Sequence, residues 1–149
     1  MEIASCPVDT NVLLRWVQPV DIEYSAAKLA VKHLESAGCD LYYTSQIFAE
    51  FCNVLTRPSR NNGYGLTPTQ AQERAIEIEA AIRILPDHPA IHRESPRILV
   101  IHNISGVQVH DVRLAAAMRI HGVKQLLTFN TRDFARFPDL QAIHPANNP

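Results

Sequence analysis

The sequence predicts an α/β fold in which a mostly parallel central sheet is flanked by helices. Three observations carry that reading. Short apolar runs of strand length alternate with longer helix-forming stretches, and parallel strands need helical crossovers of this kind. Capping residues stand where strand-like runs turn into helical ones, marking helix starts locally. The length, 149 residues, suits one compact core. With 46% hydrophobic and 19% charged residues the composition is that of an ordinary globular protein, and residues 1–149 are expected to form a single domain.

The elements follow in order. Residues 3–8 read as a short apolar strand, and Asp9-Thr10-Asn11 then offers a cap for a helix through Val12-Leu13-Leu14 and Trp16-Val17. Pro7 cannot donate to a ladder, so regular pairing is expected to end near Cys6. A second helix is predicted over 21–37, with Ala26, Leu29, Ala30, His33 and Leu34 on one face and Gly38 as its stop. Residues 41–44 read as a strand. Ser45 is the expected cap of the next helix, which runs to about Thr56 because Arg57-Pro58 disfavours helical geometry beyond it.

Residues 58–65 are a loop by composition, too short with Leu66 to divide domains. Thr67-Pro68-Thr69-Gln70 has the residues of a capping box and a proline at the first helical position, opening a helix to about Ile82. Residues 84–86 suggest a short strand. Pro89 is expected to open a brief helical turn, and Ser95-Pro96 a separate, longer one that fades near Ile104, Ser105 and Gly106. Val109-His110-Asp111 leads into Val112-Arg113-Leu114-Ala115-Ala116-Ala117-Met118, a strong helix former closed by Gly122. Residues 125–129 read as a buried strand, 133–137 as a helical turn and 140–144 as a final strand. No internal repeat interrupts this order.

Several function classes are argued against by composition. A net charge of −1 leaves no broad basic surface for nucleic acid. Phosphate recognition must then be local, from Arg57, Arg60, Arg113, Arg132 or Arg136 or from bound metal ions, although each arginine has an alternative as a solvated surface residue. No basic segment precedes a hydrophobic signal region and the apolar runs are short, so no membrane association and a cytoplasmic location are expected. Cys6, Cys39 and Cys52 lack the close spacing of zinc sites and are expected to be reduced structural thiols.

Sites on parallel sheets gather where strands turn into helices. Asp9 directly follows the first strand, and Asp111 sits at a helix start after Val107-Gln108-Val109. Each has an alternative role as a cap for free backbone N–H groups. Glu50 lies on the flank of an apolar stripe formed by Ile47, Phe51, Val54 and Leu55. It either reaches solvent at the stripe's edge or faces the crevice, where repulsion from two aspartates calls for a cation. Oxygen-only ligands favour Mg2+ or Mn2+ over zinc, and such ions suit phosphodiester hydrolysis.

Other groupings read as structural. His88 and His92 stand one turn apart, but Pro89 intervenes and no third ligand is near. His110 and Asp111 diverge as neighbours on a helix. Cys6 shows no local sign of activation, Gly63-Tyr64-Gly65 lacks the rest of a dinucleotide loop, and Phe48, Phe51 and Phe129 read as core.

Four segments together resemble the PIN-domain ribonucleases, most closely the VapC-type toxins of bacterial toxin–antitoxin pairs. They are Val8-Asp9-Thr10-Asn11-Val12-Leu13-Leu14, Gln46-Ile47-Phe48-Ala49-Glu50-Phe51, Val109-His110-Asp111-Val112-Arg113-Leu114-Ala115-Ala116 and Leu127-Thr128-Phe129-Asn130-Thr131-Arg132-Asp133-Phe134. The resemblance implies a PIN-like sandwich and a metal-dependent endoribonuclease in which Asp9, Glu50, Asp111 and Asp133 serve as metal-site and catalytic acids. It also implies supporting roles for the hydroxyls of Thr10 and Thr128 and for Asn11, and places Asn130 where many relatives carry another acid. Mg2+, with Mn2+ as an alternative, RNA as substrate, a cognate antitoxin and a homodimer follow from the same likeness. The faces around Ala26, Leu29, Ala30 and Leu34 and from Ile47 to Leu55 are candidate antitoxin docking surfaces, with the core as their alternative fate. Two rival readings share the site: a PIN-fold binding or scaffold protein that no longer cleaves, against which the intact Asp9, Glu50 and Asp111 argue, and a phosphohydrolase of small phosphate esters.

Overall fold

The computed structural model describes residues 4–147. Five short strands and seven α-helices alternate along them: β1 (Ser5–Pro7), α1 (Thr10–Trp16), α2 (Tyr24–Ser36), β2 (Asp40–Thr44), α3 (Ser45–Thr56), α4 (Pro68–Ala81), β3 (Arg83–Leu85), α5 (Pro89–Ile101), α6 (Val109–Ile120), β4 (Gln125–Leu127), α7 (Thr131–Phe134) and β5 (Gln141–Ile143). β1, β2 and β3 form one parallel sheet and β4 pairs with β5 in parallel. A parallel bridge from Val8 to Leu127 joins the two sheets, so the order across is β3-β2-β1-β4-β5. The predicted α/β class and parallel sheet are therefore present. Among the described residues no helix is long and apolar enough to cross a membrane.

β1 lies in the middle of this order, which is why Cys6 and Val8 are fully buried. They belong to a core completed by Val12 and Leu13 of α1, Ile47, Phe51 and Leu55 of α3, Val112 and Met118 of α6, and Leu126 and Leu127 of β4. α6 is buried around most of its circumference, from Leu114 through Met118. Its run of alanines is compatible with that, since small side chains let neighbouring elements approach closely.

Several expectations need correction. Ile3, assigned to the first strand, lies outside the described residues. Pairing does not end at Cys6: Pro7 stands in register with Tyr42. The Val8 N–H donates to Tyr42 O at 2.8 Å and the Asp9 N–H to Leu127 O at 2.9 Å. Backbone donors of successive residues point to opposite neighbours, so the missing Pro7 donor falls on the β4 side, where the ladder has only just begun. In α2 the buried face is Ala27, Ala30, Val31 and Leu34, while Leu29 is 66% exposed and His33 is also exposed. The face is rotated by about one position from the predicted one.

Thr44, not Ser45, caps α3, its Oγ1 accepting the Ile47 N–H at 3.1 Å. The Ser45 hydroxyl instead donates to Asp87. The two helical turns expected around Pro89 and Pro96 are one continuous helix, α5. Pro96 cannot donate to the preceding turn, yet Ile91 and Ile98 on either side of it are both buried. α5 packs along α6, and that burial carries the helix through the proline.

Candidate active site

Asp9 leaves β1 and caps α1, and both of its carboxylate oxygens are engaged. Oδ1 accepts the Thr10 backbone N–H at 2.8 Å. Oδ2 accepts the Thr128 hydroxyl at 2.8 Å and the Asn11 side-chain amide at 3.3 Å. Capping and site membership are thus compatible, because a carboxylate has acceptor capacity for both. Thr128 is fully buried just beyond β4. Its hydroxyl oxygen also accepts from Asn11 Nδ2 at 3.2 Å and from the Asn130 N–H at 3.0 Å, using its whole bonding capacity. Asn11 Oδ1 accepts the Phe129 N–H at 3.0 Å, so one amide ties α1 to the end of β4.

Glu50 sits on α3 and is held from two sides. Thr10 Oγ1 donates to its Oε2 at 3.0 Å and Gln46 Nε2 to its Oε1 at 3.0 Å. Gln46 Nε2 also reaches the His110 carbonyl of α6 at 3.1 Å. Glu50 is half-buried, so of its two expected fates the one facing other polar groups is observed. Gln46 is the contributor that the residue-by-residue reading missed. Its signal was present, since positions four apart on a helix face one another.

Asp111 stands in the first turn of α6, but it is not the cap: that position is Gln108, which makes no side-chain capping bond. Burial pushes the Asp111 carboxyl up to about 6, reinforced by the negative charges of Asp133, Asp9 and Glu50 and opposed by Arg136. Burial also raises Asp9, against the hydrogen bonds from Thr128 and Thr10, and Glu50 and Asp133 add to the rise. Asp9, Glu50, Asp111 and Asp133 therefore share one electrostatic neighbourhood, although three of the four are separated by dozens of residues in sequence.

The arginines divide. Arg136, hydrogen-bonded to Gln108 at 3.1 Å, is close enough to the acids to act on Asp111. Arg113 pairs with Asp87 at 3.2 Å, Arg57 donates to the Asn62 carbonyl in its own loop, and Arg132 lines a small cleft with Phe129, Asn130, Thr131 and Asp133. His88 caps α5 through Nδ1 and His92 is exposed. Phe51 is fully buried, and Phe48 and Phe129 pack partly buried against the core.

Among the described residues no group of three or more His, Cys, Asp or Glu side chains is arranged so that it could hold a metal ion. The donor chemistry still suits a hard divalent cation: Asp9, Glu50, Asp111 and Asp133 offer carboxylate oxygens only, and Asp9 and Asp111 lie within electrostatic reach of the other two. A larger cleft, about 690 Å3, lies elsewhere, between α3 and α4, lined by Phe48, Cys52, Ala71, Ala75 and Ile76 among others.

A parallel α/β sheet with acids beyond β1, on α3, at the start of α6 and after β4 sets the class of fold. The PIN domain family model matches residues 7–140, and the chain belongs to that family. Solved structures share the fold. A Rickettsia felis VapBC2 complex bound to a DNA fragment from its promoter superposes with a TM-score of 0.73 at 14% identity, covering 94% of this chain and 98% of that one. VapC20 of Mycobacterium tuberculosis, described as a sarcin-ricin loop cleaving toxin, gives 0.64 at 18% identity over 89% and 95%. A toxin–antitoxin complex from Klebsiella pneumoniae gives 0.65 at 19% over 94% and 97%. No curated protein sequence matches.

Proposed function

We propose that this chain is a VapC-type, metal-dependent endoribonuclease, the toxin of a toxin–antitoxin pair, with Asp9, Glu50, Asp111 and Asp133 as its acids. The observation that carries the reading is the hydrogen-bond frame that brings the acids' elements together: Thr128 and Asn11 hold Asp9, Thr10 and Gln46 hold Glu50, and Gln46 also reaches the His110 carbonyl beside Asp111. Mg2+ or Mn2+, when bound, supplies the Lewis acidity and the activated water for phosphodiester hydrolysis. The chain's own residues do the positioning. Thr128 and Asn11 orient Asp9, Thr10 and Gln46 fix Glu50, and Arg136, which acts electrostatically on Asp111, offers a positive charge for a phosphate oxygen. Asn130 contributes a backbone N–H to Thr128, leaving the acids at four.

The toxin–antitoxin complexes among the structural neighbours support a cognate antitoxin, and the M. tuberculosis toxin supports RNA as substrate. Of the apolar faces considered for docking, Ile47, Phe51 and Leu55 are core, whereas Leu29 remains exposed. A homodimer belongs to the same reading, and Val100, Ile101 and Val107 offer exposed apolar surface for it. One contiguous core from Cys6 to Phe137 supports a single domain.

The test is cleavage of RNA by the purified chain with Mg2+ or Mn2+, with excess chelator, and beside small phosphate esters. Cleavage should need the cation, leave 5′-phosphate and 3′-hydroxyl ends, and vanish in Asp9→Asn, Glu50→Gln and Asp111→Asn while circular dichroism stays unchanged. Wild-type rates in all three folded variants would sink the site.

A further inference from the structure

Beside Asp9 lies a recess whose side chains the acids leave unused. This cleft, of about 270 Å3, is lined by Phe129, Asn130, Thr131, Arg132 and Asp133. The Thr128 hydroxyl donates to Asp9 Oδ2 at 2.8 Å and accepts the Asn130 N–H at 3.0 Å, so a single hydroxyl stands between the Asp9 carboxylate and the backbone of the cleft. Asp133, another of the acids, walls it directly. Phe129 is a fixed wall: Asn11 Oδ1 holds its N–H at 3.0 Å, and its ring centroid lies 5.5 Å from the Arg15 guanidinium carbon and 5.2 Å from the His144 ring. Asn130 and Arg132 are exposed and uncommitted. The Asn130 amide makes no capping bond to α7, and among the described residues neither it nor the Arg132 guanidinium has a side-chain hydrogen bond or ion pair. Arg113 and Arg119, by contrast, are paired with Asp87 and Asp139.

A free amide carries both donors and an acceptor, which match the hydrogen-bonding edge of a nucleobase, and a free guanidinium matches a phosphodiester. Single-stranded RNA presents the two together, since an unstacked base and its own phosphate belong to one nucleotide. We propose that this cleft is a nucleotide subsite for single-stranded RNA, in which the Asn130 amide reads the edge of the base beside the cleaved bond and the Arg132 guanidinium holds that nucleotide's phosphate. The assignment rests on the ribonuclease reading above and adds what that reading leaves open: which side chains choose the position of the cut. Asn130 serves twice, its backbone N–H bonding Thr128 while its side chain meets the base. The frame that holds Asp9 also holds the subsite, because Asn11 and Thr128 bond the backbone of Phe129 and Asn130 as well as the carboxylate. A base seated there is thereby kept in register with the acids.

Binding is separated from chemistry by working in an Asp9→Asn background, with labelled single-stranded RNA oligomers rich in A, C or U read by fluorescence anisotropy at fixed Mg2+ and a series of KCl concentrations. Asn130→Ala should lose roughly 5-fold or more in affinity for the best-bound base and level the preference among bases, at an unchanged salt slope. Arg132→Gln should weaken every oligomer alike and reduce the slope by up to about 0.7, one phosphate contact on a single strand. Arg132→Lys should restore the slope, and circular dichroism checks that each variant is folded. Affinities and slopes equal to the parent's in both variants, or an Asn130→Ala loss that is the same for every base, overturn the subsite. Cleavage by the chain with Asp9 intact is measured alongside. If it cuts RNA while the variants bind as the parent does, the subsite alone falls; if it neither cuts nor binds RNA, the ribonuclease reading falls with it.

Discussion

Thr10 Oγ1 donates to Glu50 Oε2 at 3.0 Å, joining the first residue of α1 to the middle of α3. Thr10 is itself buried at 8% exposure, and its bond to the half-buried carboxylate restrains where Glu50 points. Thr10→Val keeps the shape and deletes the donor. RNA cleavage should fall by roughly 10- to 100-fold, the usual effect of removing a partner that orients a metal-site residue, with Thr10→Ser close to wild type. Equal rates for Val and Ser, in folded proteins, would show that Glu50 needs no such support.

Asp111 yields a pH-dependent prediction. Its folded carboxyl titrates at about 6 against 3.8 for the ordinary group, so the folded chain holds the proton more tightly than the unfolded one. That stabilisation is fully present below about pH 3.8 and is lost as pH rises through 6. At neutral pH without metal the ionised carboxylate therefore opposes folding. Asp111→Asn should gain on the order of 1 kcal/mol at pH 7 after allowing for solvent screening. The gain should disappear in acid. Thermal unfolding of both proteins in chelator, across that pH range, checks the sign; a variant less stable than wild type at pH 7 contradicts it.

Asn11 and Asn130 should behave oppositely. Asn11 Oδ1 holds the Phe129 N–H and its amide contacts Asp9 and Thr128, so Asn11→Ala strands partly buried groups and should cost about 1–3 kcal/mol. Asn130 is exposed and serves the site through its backbone N–H. Asn130→Ala should change stability by no more than about 0.5 kcal/mol. Urea unfolding distinguishes the pair, and a comparable loss in both would remove the distinction drawn between side chain and backbone.

Gly63 is required for space. A Cβ there would stand 1.9 Å from the Arg57 carbonyl oxygen, at the point where the Gly63 N–H bonds to Pro58 O at 3.1 Å. Gly63→Ala should destabilise the chain by about 2 kcal/mol or more, because the loop after α3 must open to admit a methyl group. A melting temperature equal to wild type would mean that the loop moves freely.

Where sequence reasoning succeeded, the signal was local. The Thr67–Gln70 capping box forms as predicted, with both of its bonds present, because all its atoms lie within one turn. The stop at Gly38 needs only a residue tolerant of positive φ, and Gly38 adopts 80°. Where it failed, a distant contact outweighed a local preference. Pro96 signals a break, but α5 continues because Ile91 and Ile98 are buried. Ser45 is as good a cap as Thr44 by residue type, and the choice fell to Thr44 while Ser45 turned to Asp87 on another element.

By itself the sequence determined the α/β class, the order of strands and helices, and which acids stand at the element starts, since periodicity and capping act within a few residues. Only the tertiary structure decided that these acids come within one another's electrostatic reach. Thr128 reaches Asp9 across 119 positions, Thr10 reaches Glu50 across 40 and Gln46 reaches the His110 carbonyl across 64. Such bonds depend on how the sheet order β3-β2-β1-β4-β5 folds the chain back on itself. The raised carboxyl of Asp111 has the same origin: its burial, and after it the charges of Asp133 and Asp9, are set by the fold, and no local pattern records them.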